Sequence, residues 1–316
     1  MTAPEQNQQQ GLDAARLPRI IFVLGKGGVG RSTIATALGL GLANRGERVL
    51  VLEWAVADPI APWFGLPPAG PQPVEVSPNL WAANFSLDDA LRSYFVDHLH
   101  LGVVYRRVIK ADAVWRLIDV APGISEIFFL GELWWLLNLA EKEAGLRFDR
   151  IVVDAPATGH GASMLDVPQT LAAMGASGLM ALEVQRVTGL VQDPSLTGAV
   201  VVALPEPLVI AETIELVPRV GERLGRAPLA LLVNRGAGEL AGHPRSFRWR
   251  GLLPSTQQVL GQLEAQLSER ARNEVALAQA LAAQTQLGTI SLPERLGLAP
   301  AGVARSLALE LTGGPR

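Results

Sequence analysis

Apolar residues in this chain fall into short unbroken runs separated by longer stretches with helical spacing. The runs at 20–24 (I-I-F-V-L), 48–53 (R-V-L-V-L-E), 148–154 (F-D-R-I-V-V-D), 199–204 and 229–234 (L-A-L-L-V-N) read as strands buried on both faces. A half-exposed strand would alternate apolar and polar residues instead. Two further runs, 80–85 and 178–184, read as additional strands. Helix-forming segments lie between them: 32–44, rich in Ala and Leu and stopped near Gly46, then 208–224, and a long Ala/Gln/Leu stretch at 253–287. From 87 to 146 the pattern is helical, with breaks near Leu101–Gly102 and at Pro122–Gly123. Residues 58–78 are rich in Pro and Gly and read as a loop. Strands alternating with helices, without internal repeats, predict an α/β fold: a doubly wound, mainly parallel sheet flanked by helices, with a helical subdomain inserted around 87–146. The polar, Gln-rich residues 1–18 read as a disordered tail ahead of a single domain over 19–316.

The segment 124–139 (I-S-E-I-F-F-L-G-E-L-W-W-L-L-N-L) is apolar around most of its circumference, whereas a surface helix keeps a polar face. It reads as a core or dimer-buried helix, or as a groove in which Trp134 and Trp135 meet an apolar client or membrane segment. Glu126, Glu132 and Glu206 interrupt the most apolar windows, so no membrane-spanning stretch is expected. The N-terminus lacks the basic-then-apolar order of a signal peptide. Together with the absence of cysteine, this leads to the expectation of a cytoplasmic protein. A net charge of −3 offers no electrostatic footprint for nucleic acid, and the run R-S-F-R-W-R at 245–250 reads as a solvated loop. Asp97, His98 and His100 have metal-ligand chemistry, but residues two apart on a helix face different ways, so they do not read as a site.

The chemistry concentrates at one turn. The run I-I-F-V-L-G-K-G-G-V-G-R-S-T (20–33) passes from strand through glycines to helix, the context of a phosphate-binding P-loop. Gly25, Gly27, Gly28 and Gly30 let backbone N–H groups converge on an anion, and the helix start adds its positive dipole end. Ser32 stands where the pattern places a Mg²⁺-ligating hydroxyl. Arg31 replaces the lysine the pattern asks for, and a second cation, Lys26, follows the first glycine. Asp154 ends a buried strand, and a carboxylate there suits a Mg²⁺ ion shared with Ser32 and phosphate oxygens. Gly25, Glu53, Asp154, Pro205 and Asn234 all fall at or just past strand ends, the edge on which such sheets bind ligands.

The loop K-G-G-V-G-x-S-T, with its early lysine, resembles the deviant P-loop ATPases, which include the Min and Par positioning ATPases. The run D-A-P-A-T-G-H (154–160) narrows the resemblance to the arsenical pump-driving ATPase family, which includes the tail-anchored-protein targeting factors. A-P-G-I-S-E (121–126), D-P-S-L-T (193–197), A-L-P-E-P-L-V-I-A-E-T (203–213) and L-V-N (232–234) resemble further blocks of that family in the same order. The resemblance implies a nucleotide-sandwich dimer closed by ATP. Gly25, Lys26, Gly27, Gly28, Val29, Gly30, Arg31, Ser32 and Thr33 would hold ATP, and Asn234 would contact the adenine. Ser32 and Asp154 would serve Mg²⁺. Lys26 would reach the partner's nucleotide, and with Asp154 would act in catalysis.

Three departures qualify that pattern. In W-A-V-A-D-P-I-A-P-W-F-G (54–65), Ala55 and Pro62 stand where the family's first switch carries its acids. A shifted alignment places Asp58 at the first position and still supplies no second. Arg31 is bulkier than lysine and forks onto two oxygens. The cysteines that bridge zinc between targeting-factor subunits are absent. Three readings stay open. One is a Mg-ATP-dependent ATPase switching as a homodimer on a protein or membrane-protein client, weakened by Arg31 and the altered switch. The second is a hydrolysis-impaired subunit that donates Lys26 to a paralogous ATPase in a heterodimer. The third is a positioning ATPase. Without thiols, arsenite is the least expected cargo.

Overall fold

The computed structural model describes residues 11–55, 59–98, 103, 105, 123–156, 163–175, 177–236, 253–282 and 287–313. In chain order the first half runs β1 (Ile20–Gly25), α1 (Arg31–Ala43), β2 (Val49–Glu53), α2 (Ile60–Trp63), β3 (Val74–Ser77), β4 (Leu80–Asn84) and α3 (Leu87–Arg92). A π-helical stretch, Ser93–His98, continues α3, and α4 (Ile124–Asn138), α5 (Ala140–Ala144) and β5 (Arg150–Asp154) follow. The second half runs α6 (Val167–Ala173), α7 (Gly178–Gln192), β6 (Thr197–Ala203), α8 (Pro207–Leu224), β7 (Ala230–Gly236), α9 (Pro254–Ala282), β8 (Thr289–Pro293) and α10 (Pro300–Thr312).

These strands form an eight-stranded sheet ordered β3-β4-β2-β5-β1-β6-β7-β8. All neighbours are parallel except β3 and β4, so this is the doubly wound sheet that the runs predict. The unbroken runs are explained by what covers them. On β1, Ile21 and Val23 pack into the cluster around α1, while Ile20, Phe22 and Leu24 pack into the cluster around α4 and α7. β2 divides in the same way, with Val49 and Val51 on one face and Leu50 and Leu52 on the other. A strand covered on both sides has no solvent face and needs no polar alternation.

Several elements differ from the expectation. Residues 178–184 are not a strand but the start of helix α7, whose buried Val184, Val187, Leu190 and Val191 recur at helical spacing. The seven-residue apolar window was too short to separate the two periods. The stretch 58–78 is not wholly a loop: it holds α2 and the edge strand β3, which pairs antiparallel with β4. Of the expected tail, 11–18 pack down: Leu12, Ala14 and Leu17 are buried, and Leu12 N–H bonds the Leu311 carbonyl at 2.7 Å. Three elements carried no reading: α6, between β5 and α7; β8, which extends the sheet beyond β7; and α10, which lies along α1.

The apolar segment 124–139 forms α4 and faces the core. Ile127, Phe129, Leu130, Leu133 and Leu136 are buried, and no large apolar side chain of α4 is exposed. Trp134 lies under the Arg186 guanidinium, 4.3 Å from the ring centroid, and Trp135 Nε1 donates to Glu143 at 2.8 Å. Among the described residues no helix is long and apolar enough to cross a membrane.

Candidate functional site

The glycine turn sits where the winding reverses. From β1 the chain crosses to β2 on one side, and β6, β7 and β8 extend the sheet on the other. The loop after β1 therefore opens at the crevice between β5 and β6, at the carboxyl ends of the strands. Gly28 and Gly30 take φ of 85° and 91°, the left-handed region that glycine enters without strain. Gly30 is also the N-cap of α1 and supplies no side-chain cap, so the helix start keeps N–H groups for an anion. Any Cβ at Gly30 would collide with the Asn234 amide nitrogen.

That collision marks an interaction that the sequence did not disclose. Asn234, at the end of β7 and only 7% exposed, donates from Nδ2 to the Val29 carbonyl at 2.8 Å. Its Oδ1 accepts from Arg235 N–H at 3.0 Å. The side chain is thus a strut beneath the phosphate loop. Arg235 follows with φ 52°, a left-handed value rare outside glycine, where the β7–β8 register shifts.

The loop's two cations point apart. Arg31 turns inward, and its Nη1 donates to the Gly25 carbonyl at 3.0 Å and the Pro156 carbonyl at 2.8 Å. It thereby ties the start of the phosphate loop to the segment after β5. Burial lowers the Arg31 pKa from the usual arginine value, and nearby Asp154 opposes that shift. Lys26 turns away, and its Nζ sits 2.6 Å from Glu212 Oε1 on α8.

Asp154 closes the cluster. It lies at the end of β5, 6% exposed. Burial pushes its carboxyl above the usual carboxylate range; a hydrogen bond from Ser32 and the Arg31 charge pull it back part of the way. Glu53, fully buried, pairs in register with Asp154 across the β2–β5 ladder. The donor set at Ser32 and Asp154 is all oxygen, which suits a hard cation such as Mg²⁺. A buried carboxylate whose charged form is disfavoured gains from a cation beside it. Among the described residues no three His, Cys, Asp or Glu side chains cluster as a separate metal site.

The structure therefore brings together Gly25, Val29, Gly30, Arg31, Ser32, Asp154 and Asn234, with Lys26, Gly27, Gly28 and Thr33 on the same turn. At the first switch, Ala55 carries no acid. Its N–H and C=O are both held by the Asn84 side chain, at 3.0 and 2.9 Å. Pro62 lies within α2. Sequence reading missed Asn84, Glu212 and Arg235. Glu212 stands inside the 203–213 block that carried the resemblance; nothing in the sequence singles out Asn84. Asp58, Thr158, His160, His100 and the run 245–250 lie outside the described residues.

Comparison with known proteins shows the family of the chain. The family profile described as "Anion-transporting ATPase" matches residues 18–180, from the lead-in to β1 through the start of α7. The chain is 30% identical over 223 residues to the protein named "ATPase BagA" of Mycobacterium tuberculosis, covering 69% of this chain and 65% of that one. It is 29% identical over 157 residues to a "Putative arsenical pump-driving ATPase" of Chlorobaculum tepidum, covering 48% of this chain and 36% of that one. It is 30% identical over 158 residues to the "Arsenical pump-driving ATPase" of Acidiphilium multivorum, covering 48% and 26%. The chain thus spans 65% of the length of the mycobacterial relative and less of the other two. The profile reaches from β1 through β5, the span that holds the glycine loop, Ser32 and Asp154, and the chain belongs to the anion-transporting ATPase family.

Proposed function

We propose that the chain binds Mg-ATP on the 25–33 loop and works as a nucleotide-driven dimer with slow hydrolysis. The observation that carries this reading is the buried Asp154 carboxyl set beside Ser32 and Arg31 at the mouth of a glycine loop, with Arg31 tied to the Gly25 and Pro156 carbonyls. Loop amides and the α1 N-terminus would take the phosphates. Ser32 and Asp154 would hold Mg²⁺, which supplies charge neutralisation on the phosphate oxygens when bound. Asn234 fixes the loop through Val29 and, as the family resemblance implies, would contact the base. The absence of cysteine supports a protein or membrane-protein client over arsenite, and a reducing compartment such as the cytoplasm.

A second reading is favoured by Ala55 and Pro62. Without an acid to orient water at either position, turnover falls by about 10²–10⁴. The chain would then act mainly by lending Lys26 to a paralogous partner.

Calorimetric titration with ATPγS, with and without Mg²⁺, tests the first reading. Wild type should bind more tightly with the metal. Asp154→Asn should remove that gain, by about 10- to 100-fold. Because burial raises the Asp154 pKa, the metal-dependent gain should fade on acidification at a higher pH than an ordinary carboxylate would dictate. Absence of ATPγS binding by the folded protein refutes the reading. Steady-state turnover of the chain alone, and after Arg31→Lys, separates it from the second.

A further inference from the structure

Lys26 and Arg31 share one loop, yet only Arg31 lies within it. Arg31 fills the position beside Asp154 and holds the carbonyls of Gly25 and Pro156. Lys26 is drawn the other way, to Glu212 at 2.6 Å on α8 of the same chain. The neighbouring Thr213 and Val209 are buried in the body of the fold, which anchors that part of the helix. Both ends of the ion pair are partly exposed, at 35% and 46% of the side chain. An exposed pair of this kind biases its partners by no more than about fivefold. It therefore yields readily to a stronger acceptor, and a phosphate carries more charge and more acceptor oxygens than a carboxylate.

We propose that Glu212 is the positioning residue for Lys26. It parks the ammonium outside its own phosphate loop until the phosphates of a nucleotide bound to a facing copy take it over. This rests on the dimer reading above and adds a regulator to it: Glu212 competes with the trans phosphate, so its charge sets the threshold for ATP-driven closure. The exchange makes and breaks no covalent bond. One ammonium contact replaces another.

The test is sedimentation equilibrium of the full chain in Mg-ATPγS. Glu212→Gln, which keeps the shape and removes the charge, should tighten nucleotide-dependent self-association by about fivefold or less. The effect should shrink in 0.5 M salt and vanish in a Lys26→Ala background, which closes a double-mutant cycle. Glu212→Asp, which keeps the charge, should stay near wild type. If Glu212 merely stabilised its helix, the Gln effect would persist without Lys26, and the proposal would fall. Self-association unchanged by Glu212→Gln, with ATPγS binding intact, overturns the Glu212 inference alone. No ATPγS-dependent association in wild type overturns it together with the homodimer reading.

Discussion

Asn234→Ala separates two roles that one side chain can play. The carboxamide is nearly enclosed and makes two bonds, from Nδ2 to Val29 O at 2.8 Å and from Arg235 N to Oδ1 at 3.0 Å. Truncation leaves a carbonyl of the phosphate loop and a strand-end N–H without these partners. Each such loss in a buried setting costs about 1–3 kcal/mol, less whatever water recovers. Taking about 1–3 kcal/mol in total as the cost of ordering the loop, affinity for any phosphate ligand should drop about 5- to 150-fold. The assay is paired calorimetry with ATP and with tripolyphosphate, which has the phosphates and no base, alongside urea unfolding. A strut predicts parallel losses for both ligands and a lower unfolding free energy. Lost ATP affinity with tripolyphosphate binding and stability intact would refute the strut and leave Asn234 as a base contact only.

Two further expectations follow from single residues. Burial, and then the nearby Asp89 charge, push the Glu132 carboxyl from 4.5 to about 7. The folded state therefore holds this proton more tightly than the unfolded chain, so stability is unaffected below about pH 4.5 and declines as pH rises toward 7. Urea unfolding between pH 5 and 8 should show Glu132→Gln more stable than wild type by about 1–3 kcal/mol at pH 8 and nearly equal at pH 5; parallel curves would contradict it. At Arg235, the left-handed φ of 52° strains a non-glycine residue. Arg235→Gly should leave thermal stability unchanged or raise it by up to about 1 kcal/mol, whereas a clear loss would show that its side chain holds structure.

The sequence determined the sheet and the loop because both rest on local patterns. Ile20 to Leu24 and Val49 to Glu53 lack polar alternation since each strand is covered on both faces, and that shows in five consecutive residues. Gly28, Gly30 and Ser32 announce a phosphate loop through backbone geometry set within a single turn. Tertiary structure decided what distance in the chain conceals. Residues 178–192 became a helix because α4 and the sheet bury Val184, Val187, Leu190 and Val191, three or four positions apart along one face. Residues 11–18 order because α10 returns beside them, with Leu12 bonded to Leu311. Asn234 meets Val29 across 205 positions, and Lys26 meets Glu212 across 186. No local pattern encodes such pairings: they exist only once the sheet has brought the carboxyl ends of its strands to one edge, where these side chains compete for the same few partners.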